Sequence, residues 1–194
     1  MIEQIVTSFL AAVLIENFVL VRIIGICPFL GVSKKTETAW GMGVAVVFVM
    51  ALSSAFTWLI QKYILEAFNI DFLQTLVFIL VIAALVQFVE MVIKKTSRAL
   101  YNALGVYLPL ITTNCAILAV CIINIQKGFD LINAILYGTF AGMGFALALF
   151  LFAGIRERME LFSNIPENLK GFPISLISAS LLSLAFLGFQ GLIK

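Results

Sequence analysis

Residues 39–60 read AWGMGVAVVFVMALSSAFTWLI, an apolar run of 22 residues without a charged side chain. A helix that spans a bilayer needs about 20 such residues, whereas a membrane β-strand needs about ten residues of alternating polarity. The run is twice as long as such a strand and is apolar on every side. It therefore predicts a transmembrane α-helix.

Further apolar runs of similar length lie on both sides of this one. Together they predict six transmembrane helices, at Ile5–Ile26, Ala39–Ile60, Phe72–Ile93, Leu100–Ile123, Leu131–Ile155 and Phe172–Ile193. Hydrophobic residues make up 63% of the chain and charged residues 11%, against roughly 45–50% and 25% in soluble domains. We therefore expect an all-α integral membrane protein, a single transmembrane domain over 1–194 in contact with membrane lipid.

The composition also excludes several classes of function. The chain has no histidine, which excludes haem held by histidine and histidine-based zinc sites. Its net charge is only +2, and its basic residues form no continuous face of the kind that binds nucleic acid. We therefore expect no nucleic-acid partner.

The basic residues favour one orientation in the membrane. Eight of the twelve Lys and Arg residues fall in the loops after the first, third and fifth predicted helices, and three fall on the other side. Loops rich in Lys and Arg usually face the cytoplasm. We therefore expect both termini on the outside. The eight are Lys34, Lys35, Lys94, Lys95, Arg98, Arg156, Arg158 and Lys170.

The chain divides into two halves of three predicted helices each, approximately 1–97 and 98–194. A Gly-Met-Gly sequence at 41–43 recurs at 142–144, in the second helix of each half. Because three is an odd number, the second half would enter the membrane in the opposite direction. Inverted repeats of this kind are typical of proteins with a site near the middle of the membrane.

The first and fourth predicted helices are unusual because glycine, proline and polar residues interrupt them. The first leads into 25–31 (GICPFLG), and the fourth contains Pro109 shortly before 112–115 (TTNC). Proline pushes the residue before it out of the helical region, so we expect both helices to be broken. Interrupted helices at matching positions of two halves indicate an intramembrane site. The other four predicted helices lack such interruptions.

The three cysteines allow two interpretations. A free cysteine is usually a small apolar core residue, and the spacing of Cys27, Cys115 and Cys121 alone favours that role over metal binding. Two broken helices would, however, bring Cys27 and Cys115 together. Two cysteines cannot hold an iron–sulfur cluster, which usually takes four, so a second protein chain would have to supply the rest. We expect Cys121 to face elsewhere as a core residue.

Polar residues within the first helix raise a second question. Glu16 lies about 16 Å along that helix from Ile5 at 1.5 Å per residue, and ionisable groups at such depth are candidates for function. Glu16 and Asn17 could line an ion pathway. A structural ion pair between Glu16 and a cation explains the carboxylate equally well.

Three long stretches carry a family resemblance. The sequences at 25–35 (GICPFLGVSKK), 108–116 (LPLITTNCA) and 151–158 (LFAGIRER) resemble the A-type membrane subunits of the Rnf complex. That complex is an ion-translocating ferredoxin:NAD oxidoreductase of the bacterial inner membrane. The resemblance covers essentially the whole chain, and it extends to the paralogous E-type subunits and to the D-type and E-type subunits of the sodium-translocating NADH:quinone reductase.

The resemblance implies a role in electron transfer. Cys27 and Cys115 would each supply a thiolate to an intramembrane [2Fe–2S] cluster, and the paralogous E-type subunit would supply two more. Flavin and iron–sulfur subunits would exchange electrons with the cluster, and the complex would pump Na⁺ or H⁺. Thr112, Thr113 and Asn114 lie beside Cys115 and could hydrogen-bond the sulfur atoms.

A second function fits the same pattern. A secondary transporter without a redox centre would also have inverted repeats and broken helices. Glu16, Asn17 and the broken backbone would then bind a cation or a small solute.

Overall fold

The computed structural model describes residues 9–33, 35–68, 70–96, 108–162 and 166–191. The described chain is helical, with short π and 3₁₀ turns at Ala11–Ile15, Gln61–Leu65, Asp71–Leu73, Glu167–Leu169 and Gly188–Gly191. A single α-helical turn, Glu66–Phe68, follows the second π turn. The longer α-helices, numbered here in chain order, are α1 (Ile26–Val32), α2 (Thr36–Ile60), α3 (Gln74–Thr96), α4 (Leu108–Thr112), α5 (Cys115–Gln126), α6 (Leu131–Phe162) and α7 (Phe172–Leu187).

Four stretches of the described chain are long and apolar enough to cross a membrane. They are Thr36–Phe68, Gln74–Val92, Pro109–Gln126 and Leu131–Leu161, and α7 is a shorter apolar helix. The prediction of an all-helical membrane protein is therefore confirmed. Parts of the first, fourth and sixth predicted helices lie outside the described residues, at 5–8, 100–107 and 192–193.

Helix α6 is longer than the sequence predicts. It continues past Ile155 to Phe162, so Arg156 and Arg158 lie in the helix and not in a loop. The continuation 156–161 (RERMEL) is polar but consists of residues that favour helix. Within it, the Arg156 guanidinium is buried and donates 2.9 Å hydrogen bonds to the Leu30 carbonyl and to Ser33 Oγ. Because Arg156 reaches the end of α1 from a different helix, the sequence around Arg156 gives no sign of this contact.

The core is built around α2 and α6, which run antiparallel. A Cβ added at Gly43 would lie 2.9 Å from Ala146 Cβ, and one at Gly142 would lie 2.9 Å from Val47 Cα. The residue numbers of the contacting positions thus increase along α2 while they decrease along α6. Small residues permit this close approach. Helix α5 and the segment before α1 pack against the same core.

Two segments interrupt the helical order near the cysteines. Residues 16–25, between the π turn Ala11–Ile15 and α1, form turns and bends. Thr113 and Asn114 separate α4 from α5. These segments hold most of the residues that the sequence singles out.

Candidate functional site

The starts of α1 and α5 meet at Gly25. This glycine precedes α1 in the left-handed conformation, with φ of +90°. A Cβ on Gly25 would lie 3.0 Å from Ala116 Cβ and 3.4 Å from Asn114 Oδ1, so the two backbones approach closely here. Cys27 is the second residue of α1 and Cys115 the first of α5. The fold therefore brings the two cysteine-bearing helix starts to one place.

The three thiols differ in exposure. Cys27 and Cys115 are exposed on the surface of the chain, whereas Cys121 is fully buried. The prediction that Cys121 is a core residue is confirmed. The two exposed thiols lie beside the contact between α1 and α5 and are accessible to a ligand or to another protein. The Cys121 thiol in the core is not accessible.

Asn114 forms the corner between α4 and α5. Its Oδ1 accepts a hydrogen bond of 3.0 Å from the Ala116 amide and so caps α5, a role for which asparagine is among the best residues. The side chain is buried, and its Nδ2 has no hydrogen-bond partner among the described residues. One N–H donor next to Cys115 is therefore available to a further acceptor.

The two threonines before Asn114 differ from it. The Thr113 hydroxyl is exposed and donates a hydrogen bond of 3.0 Å to the Pro109 carbonyl, one turn back. Thr112 is half-buried and ends α4. The free donor of this segment is thus the Asn114 amide.

Asn17 holds the turns that precede α1. It is fully buried, and its Nδ2 donates to the carbonyls of Val13 and Gly144 at 3.0 and 2.9 Å. Its Oδ1 accepts from the amides of Val19 and Leu20 at 3.1 and 3.2 Å. All four hydrogen-bonding capacities of the amide are used inside the chain, so Asn17 in this arrangement has none left for an ion.

Backbone strain lies in the same segment. Ile23 has a φ of +56° and its side chain is 62% exposed. A β-branched residue in this conformation is an outlier that the surrounding structure must hold in place. The hydrogen bond from the Ile24 amide to the Phe18 carbonyl, at 2.8 Å, does so. Ser183 of α7 adds a hydrogen bond from its hydroxyl to the Leu20 carbonyl.

Glu16 lies in a group of charges. Its Oε2 is 3.1 Å from Arg22 and 3.6 Å from Lys127, and the Tyr137 hydroxyl donates to it at 3.4 Å. All three charged side chains are between a third and two fifths exposed. Lys127 directly follows α5, far along the chain from Glu16, so no local pattern pointed to this contact. The structural ion pair considered for Glu16 is present, and a role in ion movement stays a prediction.

Among the described residues, no three His, Cys, Asp or Glu side chains lie close enough together to hold a metal ion. The two exposed thiols are therefore half of a four-thiolate set at most. A four-thiolate site that included both of them would need two further ligands from another chain.

Sequence reasoning missed a buried polar group on α2, which it treated as an ordinary helix. Ser53, Ser54 and Thr57, together with Gln61 just beyond α2, are all buried. Of these, Ser54 accepts a hydrogen bond from Asn124 of α5, which is also buried. The spacing of Ser53, Thr57 and Gln61 by four residues each time was the available signal, because it puts them on one helix face.

Comparison with known proteins gives a consistent result. A family model described as "Rnf-Nqr subunit, membrane protein" matches residues 5–193. The chain is 60% identical over 183 residues to the A-type subunit of the Na(+)-translocating ferredoxin:NAD(+) oxidoreductase complex of Acetobacterium woodii, covering 94% of this chain and 95% of that one. It is 51% identical over 191 residues to the A-type subunit of the ion-translocating oxidoreductase complex of Syntrophotalea carbinolica, covering 98% of each. The protein of the same name from Escherichia fergusonii is 55% identical over 186 residues, or 96% of each chain.

Proposed function

Because the chain belongs to the Rnf-Nqr family of membrane protein subunits, we propose that it is the A-type subunit of an ion-translocating ferredoxin:NAD⁺ oxidoreductase complex. Identities of 51–60% over almost the entire length of both partners support this assignment. The other subunits of such a complex are then its partners in the bacterial inner membrane. The relative from Acetobacterium woodii, which is named as Na⁺-translocating, favours Na⁺ as the ion.

Within that complex, the chain carries half of an electron-relay site. Cys27 and Cys115 each supply a thiolate to a [2Fe–2S] cluster, and the paralogous E-type subunit, packed in the opposite orientation, supplies the other two. The observation that carries this proposal is the meeting of α1 and α5 at Gly25, with an exposed cysteine on each. When bound, the cluster accepts and releases one electron at a time between the flavin and iron–sulfur subunits.

The chain's own residues would shape that site. Gly25 and Asn114 set the distance between the two helix starts, because the Gly25 backbone lies against the Asn114 side chain. Asn114 Nδ2 has no hydrogen-bond partner among the described residues and would donate to a sulfur atom, since such outer contacts tune metal centres. Thr112 and Thr113 would act less directly, since the Thr113 hydroxyl already donates to Pro109.

The proposed topology has two inverted halves, with the first and fourth membrane helices broken at the cysteines. The antiparallel packing of α2 and α6, which are the second long helices of their halves, supports it. The non-helical residues 16–25 and the pair Thr113–Asn114 support the breaks. The three basic loops would then face the cytoplasm and both termini the outside.

A secondary transporter is the second candidate function, and the contacts at the interrupted helices do not favour it. Asn17 has no free hydrogen-bonding capacity, and Glu16 is already paired with two cations. An ion pathway through Glu16 and Asn17 would require these contacts to open, and it stays a prediction.

Iron and acid-labile sulfide analysis, with EPR of the reduced sample, tests the relay site on the co-purified complex. We expect Cys27→Ala and Cys115→Ala each to remove one two-iron signal. Cys121→Ala is the matched control, because it removes a thiol from the same chain at a buried position, and it should leave the signal intact. A signal that persists in both variants, or is absent from the intact complex, would overturn the proposal.

A further inference from the structure

A buried polar stripe lies in the otherwise apolar centre of the molecule. On the α2 side it consists of Ser53, Ser54 and Thr57, each no more than 1% exposed. On the α5 side it consists of Asn124, which is 1% exposed, beside the fully buried thiol of Cys121. Ser, Thr and Asn side chains often hydrogen-bond across membrane helices, so the question is whether each polar atom of this stripe has such a partner.

Internal hydrogen bonds account for part of the stripe. Asn124 Nδ2 donates to Ser54 Oγ at 3.2 Å and to the Ala134 carbonyl of α6 at 3.3 Å. Thr57 Oγ1 donates to the Ser53 carbonyl at 2.6 Å. These bonds use the available amide and threonine donors.

Two oxygen atoms of the stripe remain without a partner. Within the described part of the chain, neither Asn124 Oδ1 nor Ser53 Oγ has a hydrogen-bond partner, and each is out of contact with solvent. An amide oxygen can only accept. The guest that satisfies Asn124 Oδ1 must therefore be electropositive, either a cation or the O–H of a water molecule.

The stripe leads towards an opening at one end of α2. There the helix passes into the π turn Gln61–Leu65, and such π segments are frequent at functional sites. A pocket of about 190 Å³ lies at this end, lined in part by Trp58, Gln61, Lys62 and Glu66. Ile125, the neighbour of Asn124, also lines it, so the pocket adjoins the stripe.

We propose that Ser53, Ser54, Thr57 and Asn124 form a binding site for a partly hydrated Na⁺ ion that enters through this pocket. The site supplies neutral oxygen atoms, which are the ligands that hard cations prefer. The described pocket lining carries both a carboxylate, Glu66, and an ammonium, Lys62, so the neutral oxygen atoms, and not the charge of the opening, favour a cation. The stripe contains no carboxylate or histidine to carry a proton, which separates the site from a proton relay. The choice of Na⁺ rests on the proposed function, whereas the site itself rests on the contacts above.

Cysteine accessibility tests whether water and ions reach the stripe. Ser53→Cys and Thr57→Cys are compared with Val49→Cys in the complete detergent-solubilised complex. Val49 is the matched control because it is buried on the same helix one turn further along, among apolar neighbours. Each sample is treated with a small water-soluble methanethiosulfonate, and modification is followed by peptide mass spectrometry.

We expect the two stripe cysteines to react at least about tenfold faster than Val49→Cys. Na⁺ should slow their reaction severalfold, and an equal concentration of choline should not. Equal rates at all three positions would show dry structural packing and overturn the proposal. Fast reaction that is indifferent to Na⁺ would mean that the stripe holds water only, which overturns the cation site.

Thermal stability provides a second measurement that needs no cysteine substitution. Na⁺ should raise the Tm of the wild-type complex relative to choline, and Ser54→Ala should remove most of that increase. Thr139→Val is the matched control, because the Thr139 hydroxyl is half-buried and bonded within its own helix α6. Iron content measured in the same samples separates the two proposals: Na⁺ protection in a sample without iron would retain the cation site and overturn the cluster.

Discussion

At the scale of single residues, Gly25 is restricted both by its backbone conformation and by its close neighbours. A side chain there would have to adopt a φ of +90° and lie 3.0 Å from both Ala116 Cβ and Phe145 Cε2. The left-handed conformation alone costs roughly 1–2 kcal/mol for a residue other than glycine. We therefore expect Gly25→Ala to lower the Tm of the purified complex and to reduce its iron content.

Gly128→Ala is the control for that substitution. Gly128 also has a positive φ, of +62°, but a Cβ there would meet nothing within 4 Å. Gly128→Ala therefore has the free-energy cost of the left-handed backbone without a steric clash of the new Cβ. Equal losses of Tm in the two variants would mean that the contact between the starts of α1 and α5 contributes nothing.

Asn17 is the residue whose hydrogen bonds hold the turns before α1. Asn17→Asp keeps the oxygen that accepts from Val19 and Leu20, but it replaces the donor that serves the carbonyls of Val13 and Gly144. A buried group left unsatisfied costs roughly 1–3 kcal/mol, and more when it is charged. We expect a lower Tm than for Ser180→Ala, which alters an exposed hydroxyl. A Tm equal to that of this control would contradict the role given to Asn17.

At the scale of helices, Arg156 joins α6 to the end of α1. Its guanidinium donates to the Leu30 carbonyl and to Ser33 Oγ, so the short helix that carries Cys27 is held from outside. Arg156→Gln should increase hydrogen exchange over residues 26–33. Arg158→Gln, two positions along the same helix on an exposed side chain, is the control. Unchanged exchange in the Arg156 variant would show that α1 is held by its apolar contacts alone.

The helical fold could be predicted from the sequence because its signal is local. An uninterrupted apolar run such as 39–60 can only be a buried or membrane helix, and α2 covers it completely. The end of α6 was missed because the predicted bound followed the apolar run, whereas the helix continues through the polar, helix-favouring residues 156–161. The four-residue spacing of Ser53, Thr57 and Gln61 was a local sign of the polar stripe. The partner of Ser54, Asn124, however, lies 70 residues away, and no local pattern points to it. The pairs that define the candidate site are contacts between helices, and no single helix encodes them.

At the scale of the whole molecule, the proposed shared cluster requires another chain to cover the two exposed cysteines. In the complete complex, Cys27 and Cys115 should resist alkylation by N-ethylmaleimide under native conditions. In the chain purified alone both should react, whereas the buried Cys121 should react in neither preparation. Mass spectrometry of the labelled peptides measures this directly. Equal labelling of Cys27 and Cys115 in the two preparations would contradict a shared site.

The exterior of the molecule is apolar over much of its described length. Trp40, Phe48, Leu80 and Phe88 are each more than half exposed, and they lie on α2 and α3. Such a surface is stable only against lipid, detergent or another membrane helix. Experiments on this chain therefore require membrane or detergent throughout.

The hydrogen bond from Asn17 to the Gly144 carbonyl spans 127 positions of the chain, and this separation has a consequence for biosynthesis. A ribosome that adds roughly 5–20 residues per second makes Gly144 about 6–25 seconds after Asn17. During that interval the acceptor of this hydrogen bond does not yet exist. The early segment must therefore wait in contact with water or with the insertion machinery. Cells that lack sufficient insertion capacity should accumulate the nascent chain at this stage, before its first hundred residues can settle against α6.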